Sequence, residues 1–465
     1  MSDGSRQVVC VQGLGFVGSA MATAVAMASD KQGRPLYDVI GVDLPNDQGT
    51  RRVDDINKGV FPFPTSDSRL VDAILKAVRR GNLKATTDAS CYANADVVIV
   101  DVHLDIPYLD SEPELDFTHF KNALRTIGER IKEGALVIVE TTVPPGTCEH
   151  VVVPTLSEEL RKRGMPPGSI LVAHSYERVM PGEHYLESIT DFWRVYSGHT
   201  DEAADACAAF LSSVINVEKY PLTRLSSTVA SETAKVMENC YRAMNIAFLD
   251  EWTKYAESVG IDMFEVVDAI RVRPTHSNIR FPGLGVGGYC LTKDPMFAPA
   301  AAKQLFNKDL EFPFSRMAVK INHQMPLHAV VRLKAMLSGS LAGKRILVCG
   351  ISYRPDVGDT RNSPSETLVR ELLKDRAEVV VHDPYVGYWD ELEMGVLEEL
   401  PGAQGFDACV FAVAHRQYRE LDLAAWVSGA HAAILDANSV FTRAQRDAVR
   451  KQGICMESVG RGAGL

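Results

Sequence analysis

Several things are scarce in this sequence, and each scarcity excludes a class of protein. No run approaches the ~18 uninterrupted apolar residues of a membrane-spanning helix. The opening Met1-Ser2-Asp3-Gly4-Ser5-Arg6 lacks the basic, apolar and small-residue order of a secretory signal. Basic charge is outweighed: 49 lysines and arginines face 60 acids, for a net charge of −11, which argues against phosphate-rich nucleic acid as a partner. The nine cysteines form no CxxC pair and show no metal-ligand spacing. With 34 glycines and 23 prolines in 465 residues, the chain is neither collagen-like nor linker-dominated. The expectation is a reduced, cytoplasmic protein that holds no metal and binds neither nucleic acid nor membrane.

What is present is an ordinary globular balance, 46% hydrophobic and 23% charged, at a length that suits two to four domains. Short β-branched runs at 7–12, 38–43, 96–102, 135–140 and Ile170–Ala173 alternate with helical stretches, which predicts parallel βαβ units. From Ser226 to Gly260 no Pro or Gly interrupts the pattern. Ala234, Met237, Cys240/Tyr241, Met244 and Phe248 recur at steps of three and four, predicting one long helix with that stripe buried. Its apolar flank offers a dimerisation surface. A second α/β unit follows, with strands expected at Arg345–Gly350, Glu378–Val381, Ala408–Val413 and Ala432–Leu435. Ser363-Pro364-Ser365-Glu366 reads as a helix start closed by a capping box. The fold class is therefore α/β: two Rossmann-like, doubly wound domains joined by a helical central domain with one long helix. The expected divisions are 1–205, 206–335 and 336–465.

Gly13-Leu14-Gly15-Phe16-Val17-Gly18 sits between the first strand and an apolar helix. There the glycines permit a tight turn, close approach of a pyrophosphate and close helix packing. The next strand ends in Asp43, 25 residues after Gly18. An acid at that place binds ribose hydroxyls and repels a 2′-phosphate, so the expected cofactor is NAD rather than NADP.

The segment Gly285-Val286-Gly287-Gly288-Tyr289-Cys290-Leu291-Thr292-Lys293-Asp294-Pro295 sets one cysteine apart. A thiol after a glycine-rich loop, at a helix start, is favoured as thiolate by backbone N–H groups and the helix dipole. Asp294 is one helical turn further on. Composition alone leaves Cys290 open between a reactive thiolate and a buried structural thiol. Lys235 and Asn239, also one turn apart, are open between oxyanion donors and a solvated helix face. Cys10, Cys349 and Cys409 read as core, and His103, His174, His276 and His415 as structural histidines.

Six motifs in order resemble the nucleotide-sugar 6-dehydrogenases that oxidise UDP-glucose, UDP-N-acetylhexosamines or GDP-mannose. They are the glycine loop; Thr141-Thr142-Val143-Pro144-Pro145-Gly146-Thr147; Ser175-Tyr176-Glu177-Arg178-Val179 with Pro181-Gly182; Glu232-x-x-Lys235-x-x-x-Asn239-x-x-Arg242-Ala243; the Cys290 loop with Asp294-Pro295; and Asp359-Thr360-Arg361-Asn362-Ser363-Pro364. The resemblance implies oxidation of a sugar's primary alcohol to a carboxylate with two NAD per turnover, through a Cys290 thiohemiacetal and thioester. It further implies that Lys235 and Asn239 steady an oxyanion, that Glu177 and Asp294 handle water, and that Thr142 lies beside the nicotinamide. Arg361 would reach toward the cofactor pyrophosphate. Substrate contacts are implied at Glu177, Arg178, Lys235, Asn239, Arg280, Gly287, Tyr353 and Arg354, in a homodimer.

Which group takes the first proton stays open, as does the sugar. Phe281-Pro282-Gly283 is more similar to the N-acetylhexosamine branch than to the UDP-glucose branch. Val102-His103-Leu104-Asp105, Tyr176, Tyr289 and Thr292-Lys293 depart from the family's usual residues. A two-electron hydroxy-acid dehydrogenase and a non-catalytic NAD-binding protein are the competing readings.

Overall fold

A computed structural model describes residues 6–106, 112–179 and 182–465, so Pro181 of the third motif lies outside the described residues. The chain divides into two compact units: Met1–Glu238 with Met296–Glu311, and Asn239–Pro295 with Phe312–Leu465.

The first unit is built on eight strands: β1 (Gln7–Gln12), β2 (Tyr37–Val42), β3 (Leu83–Thr86), β4 (Val97–Val100), β5 (Leu136–Val139), β6 (Leu171–His174), β7 (Val195–Gly198) and β8 (Thr223–Arg224). Their spatial order is β3-β2-β1-β4-β5-β6-β7-β8, and only the β6–β7 pair is antiparallel. The order reverses between β1 and β4, the switch point at which doubly wound sheets bind ligands. β4 and β5, both expected as strands, are buried at every position. One face packs Val9, Val11, Val39, Ile99 and Ile138 against Met21 and Val25 of the helix Phe16–Met27. The helix Asp201–Val214 runs across position 205 and adds Cys207, Phe210 and Leu211 to the same core.

The second unit carries a five-stranded parallel sheet of β9 (Arg345–Cys349), β10 (Glu378–His382), β13 (Ala408–Phe411), β14 (Ala433–Asp436) and β15 (Met456–Ser458). Their order is β10-β9-β13-β14-β15, beside a small ribbon of β11 (Tyr388–Trp389) and β12 (Met394–Gly395). Successive side chains alternate between two cores. Ile346, Val348 and Val410 enter one, while Leu347, Cys349, Cys409 and Phe411 enter the other. Cys10, Cys349 and Cys409 are buried as expected. Ser363 caps the helix Pro364–Lys374 through the Ser365 N–H, but no capping box forms. The Glu366 carboxylate instead accepts from Arg370 Nε at 2.8 Å, one turn along the helix.

The long helix is present as Thr228–Val259, 32 residues that contribute to both units. Its buried positions match the expected stripe only in part: Ala234, Cys240 and Met244 are half-buried. Val236, Ala243, Ala247, Leu249 and Ala256 are buried, whereas Met237, Tyr241 and Phe248 are more than half exposed. The periodicity is real, but the bulky apolar stripe points away from the folded chain. On the packed face Ala243 and Ala247 cluster with Ala318 of the helix Pro313–Met336.

Candidate active site

Gly13 has φ +94°, a conformation open to glycine, and its N–H donates to Val42 O at 2.8 Å. A Cβ on Gly18 would stand 1.9 Å from Gly13 O, whereas one on Gly15 would meet nothing within 4 Å. The loop is thus closed against the protein at Gly13 and Gly18 and open at Gly15. Gly15 is also the N-cap of the helix Phe16–Met27, and no side chain caps it. The first N–H groups of the helix are left for an anion. Asp43 is buried at the end of β2; it accepts from Leu44 N–H at 2.8 Å and from Arg52 Nη1 at 3.3 Å. This cradle fits a pyrophosphate and a ribose. Leu14, Phe16 and Val17 complete the loop, with Leu14 filling the space over Gly41.

The motifs after β5 and β6 meet the long helix inside the first unit. Buried Glu232 accepts from Gly146 N–H at 2.6 Å and Cys148 N–H at 2.8 Å, fixing the loop that follows Thr142. Burial pushes its carboxyl up to about 7, against the lowering effect of those donors. Lys235 donates from Nζ to Glu177 O at 2.7 Å, and its ammonium lies 3.7 Å from Glu177 Oε1. Val179 N–H donates to the other oxygen of Glu177. Arg178 is committed to Glu238, with further bonds to Tyr176 OH at 3.1 Å and Trp193 O at 2.8 Å. It is therefore tied into the protein's own ion pair.

In the second unit, Asn239 Nδ2 donates to Asp294 Oδ2 at 2.7 Å, and Lys293 Nζ donates to Asp294 Oδ1 at 2.9 Å. Asn239, Lys293 and Asp294 are all buried, and Lys235 is only 6% exposed, so the solvated-face reading is set aside. Cys290 is exposed, which sets aside the buried structural thiol. The helix it opens is a single turn, Cys290–Lys293, so its dipole gives the thiol far less help than a full helix would.

The glycines before Cys290 are fitted to another loop. A Cβ on Gly287 would meet Tyr353 Cβ at 2.6 Å and Asn362 O at 2.8 Å. Gly288 has φ +78° and donates from its N–H to Arg361 O at 3.2 Å. Tyr353 is thereby packed against the Cys290 loop, and burial raises its pKa. Arg361 makes a two-pronged pair with Asp359, at 2.9 and 2.7 Å, and its guanidinium lies 5.6 Å from the centre of the Tyr289 ring. Arg354 is half-buried in the same segment. The Arg280 backbone is fixed by Asn245, while burial, with Arg242 and Arg271 adding to it, lowers the pKa of its guanidinium.

Glu232 belongs to one of the six motifs with no role implied for it, and Lys293 is a departure from the family's usual residue. Nothing in the sequence signals a lysine turned back on its neighbouring acid. His174 and His415 are buried and bonded, to Ser231 Oγ at 2.7 Å and Asp383 Oδ2 at 3.1 Å, whereas His103 and His276 lie at the surface. Among the described residues there is no cluster of three metal-ligating side chains. No helix among them is long and apolar enough to cross a membrane. A cavity of about 710 Å³ lined in part by Asp262, Phe264, Arg443 and Arg461 contains none of the expected site residues, so its size is no guide to the chemistry.

Comparison with known proteins gives the chain its family. Residues 7–214 match the NAD binding domain of the UDP-glucose/GDP-mannose dehydrogenase family, 229–324 its central domain and 347–443 its UDP binding domain. The UDP-N-acetyl-D-mannosamine dehydrogenase of Pyrococcus horikoshii is 33% identical over 423 residues, 89% of this chain and 91% of the relative. Its counterpart from Methanocaldococcus jannaschii is 30% identical over 420 residues, 90% of this chain and 88% of the relative. The crystal structure of NDP-N-acetyl-D-galactosaminuronic acid dehydrogenase from Methanosarcina mazei superposes with a TM-score of 0.79 at 27% identity, covering 98% of this chain and 96% of that one. The chain belongs to the UDP-glucose/GDP-mannose dehydrogenase family and is an NAD-dependent nucleotide-sugar dehydrogenase.

Proposed function

We propose that the protein oxidises the C6 primary alcohol of a UDP-N-acetylhexosamine to the uronic acid. The observation that carries the sugar class is the likeness, over about nine tenths of both chains, to UDP-N-acetyl-D-mannosamine dehydrogenases. Bound NAD supplies the hydride acceptor for each of two oxidations. After the first, the Cys290 thiolate adds to the aldehyde carbon and forms a thiohemiacetal, which keeps the aldehyde from escaping. Loss of the second hydride leaves a thioester. Water then adds to its carbonyl and the thiolate leaves, giving the carboxylate and restoring Cys290.

In this reading Lys235 and Asn239 steady the oxyanion, Asp294 orients Asn239 and water, and Glu177 positions water while holding Lys235. Thr142 faces the nicotinamide. Gly287, Tyr353, Arg354 and Arg280 contact the nucleotide sugar, and Arg361 balances phosphate charge. Arg178 is kept as a support for Glu238 and the loop carrying Glu177. Roles follow the three regions 1–205 for NAD, 206–335 for the cysteine loop and dimerisation, and 336–465 for the nucleotide. The exposed face of Met237, Tyr241, Phe248, Trp252 and Tyr255 supports a homodimer. A working thiol suits the reducing cytoplasm.

The test is the NADH formed per sugar with limiting UDP-N-acetylmannosamine or UDP-N-acetylgalactosamine and excess NAD. Two NADH per sugar from one of them is expected, and none from the Cys290→Ala variant. One NADH, or undiminished acid formation by that variant, rejects the thioester route. Two NADH from UDP-glucose alone replaces the sugar class.

A further inference from the structure

Acids stand at the carboxyl ends of successive strands in the first sheet. Asp101 directly follows β4, Glu140 directly follows β5, and Glu177 lies in the loop after β6. The register pairs Val100 with Val139, which makes Asp101 and Glu140 lateral neighbours on the sheet edge. Glu140 is paired with buried Arg194 through Oε1. The other three oxygens, Asp101 Oδ1 and Oδ2 and Glu140 Oε2, are buried and receive no hydrogen bond among the described residues.

Two buried carboxylates with one guanidinium would leave a negative charge stripped of solvent, which is costly. One proton removes the difficulty. As an acid, Asp101 donates to Glu140 and remains neutral, and the charge of Glu140 is matched by Arg194. Among the described residues, the charges of Glu140, Glu177 and Arg194 act on Asp101. From the glycine-loop helix it meets Gly18, whose absent Cβ would lie 3.3 Å from Asp101 Cβ. Burial, then the charge of Glu140, hold the Asp101 carboxyl well above the usual carboxylate range, with Glu177 adding to the effect and Arg194 opposing it.

This pair stands at the switch point. A dinucleotide lies across the carboxyl edge of such a sheet with one nucleotide on either side of the reversal. The glycine loop and Asp43 serve the β1–β2 side, so the nicotinamide half falls to the β4–β5 side, where Asp101 and Glu140 stand. We infer that Asp101 and Glu140 share a single proton that is released when the oxidised, cationic cofactor binds and is recovered when the cofactor is reduced. On release, the Asp101 O–H bond breaks and the proton passes to solvent, with no electrons transferred. The bound positive charge then balances the second carboxylate. On reduction that charge is lost, and Asp101 regains a proton from solvent.

The test is calorimetric titration of the full protein with NAD⁺ and with NADH, each in two buffers of equal pH 7.5 but different ionisation enthalpy. The wild type is expected to release more protons with NAD⁺ than with NADH, by a difference approaching one per site. In Asp101→Asn, whose amide keeps the donor to Glu140, the difference is expected to vanish. Equal proton release for the two cofactor states in the wild type overturns the inference. So does an unchanged difference in a folded Asp101→Asn variant. The wild-type comparison decides the matter even where the variant fails to fold, and it needs no sugar substrate.

Discussion

Asn239 and Asp294 are joined by a 2.7 Å hydrogen bond from carboxamide to carboxylate, and Lys293 holds the opposite oxygen of the same acid. The amide is therefore oriented before any substrate arrives, with one N–H committed and the other still to give. Replacing Asn239 by Asp, equal in shape, sets a second carboxylate against Asp294. Stability should fall by about 1–3 kcal/mol, the cost of a lost buried hydrogen bond and an unpaired group. The thermal midpoint of the variant at pH 8 should accordingly lie below that of the wild type, and an unchanged midpoint would show that the bond adds nothing to stability.

Gly287→Ala places a methyl group 2.6 Å from Tyr353 Cβ. Backbone must move to relieve it, at a cost of roughly 1–3 kcal/mol. Turnover should fall at least tenfold while NAD affinity, measured by fluorescence titration, stays within a factor of two. Unchanged turnover would show that the position of the Cys290 loop is not tied to Tyr353.

Burial, reinforced by the Lys235 charge, depresses His174 to about 3. The unfolded chain therefore takes this proton first, near pH 6.5, and the folded protein resists it. Stability from this group is full above pH 6.5 and is lost as pH falls toward 3, by a few kcal/mol in all. Glu232 acts in the opposite sense, since its raised value lets the folded state gain as pH falls through 7. Chemical denaturation between pH 7 and 4.5 should give a shallower decline for His174→Gln than for the wild type. Identical slopes would assign the decline to other groups.

Phe248→Glu puts charge into the exposed apolar face of the long helix. Sedimentation should show dimers for the wild type and monomers for the variant at micromolar concentration, with helical content unchanged. A variant that stays dimeric places the interface elsewhere.

Much of the architecture is legible in the sequence. β1, β2, β4 and β5 are β-branched runs with clear boundaries, and the glycine loop announced its own backbone geometry. Leu83-Lys84-Ala85-Thr86 and Met456-Glu457-Ser458 were not recognised as strands because neither carries an apolar run; their neighbours in the sheet define them. The long helix shows a sharper limit. A stripe with this period can face a core or another molecule, so periodicity located the helix but did not tell half-buried Ala234, Cys240 and Met244 from exposed Met237, Tyr241 and Phe248. The expected capping box failed for a similar reason, since Glu366 had a nearer partner in Arg370. The motifs singled out Cys290, Lys235, Asn239 and Asp294 as candidates, and the structure joins Asn239 to Asp294 and leaves Cys290 exposed. Lys293, Glu232 and the Asp101–Glu140 pair emerge only from which side chains share a buried space.

The fit of Gly287 and Gly288 against Tyr353, Arg361 and Asn362 also constrains inheritance. More than sixty residues of sequence separate the two segments, yet neither can change its backbone without the other. Grafting 285–290 alone into a relative would import Cys290 with the wrong seat. A working transplant has to carry 353–364 along with it, and recombination between the segments should yield inactive hybrids more often than recombination outside them.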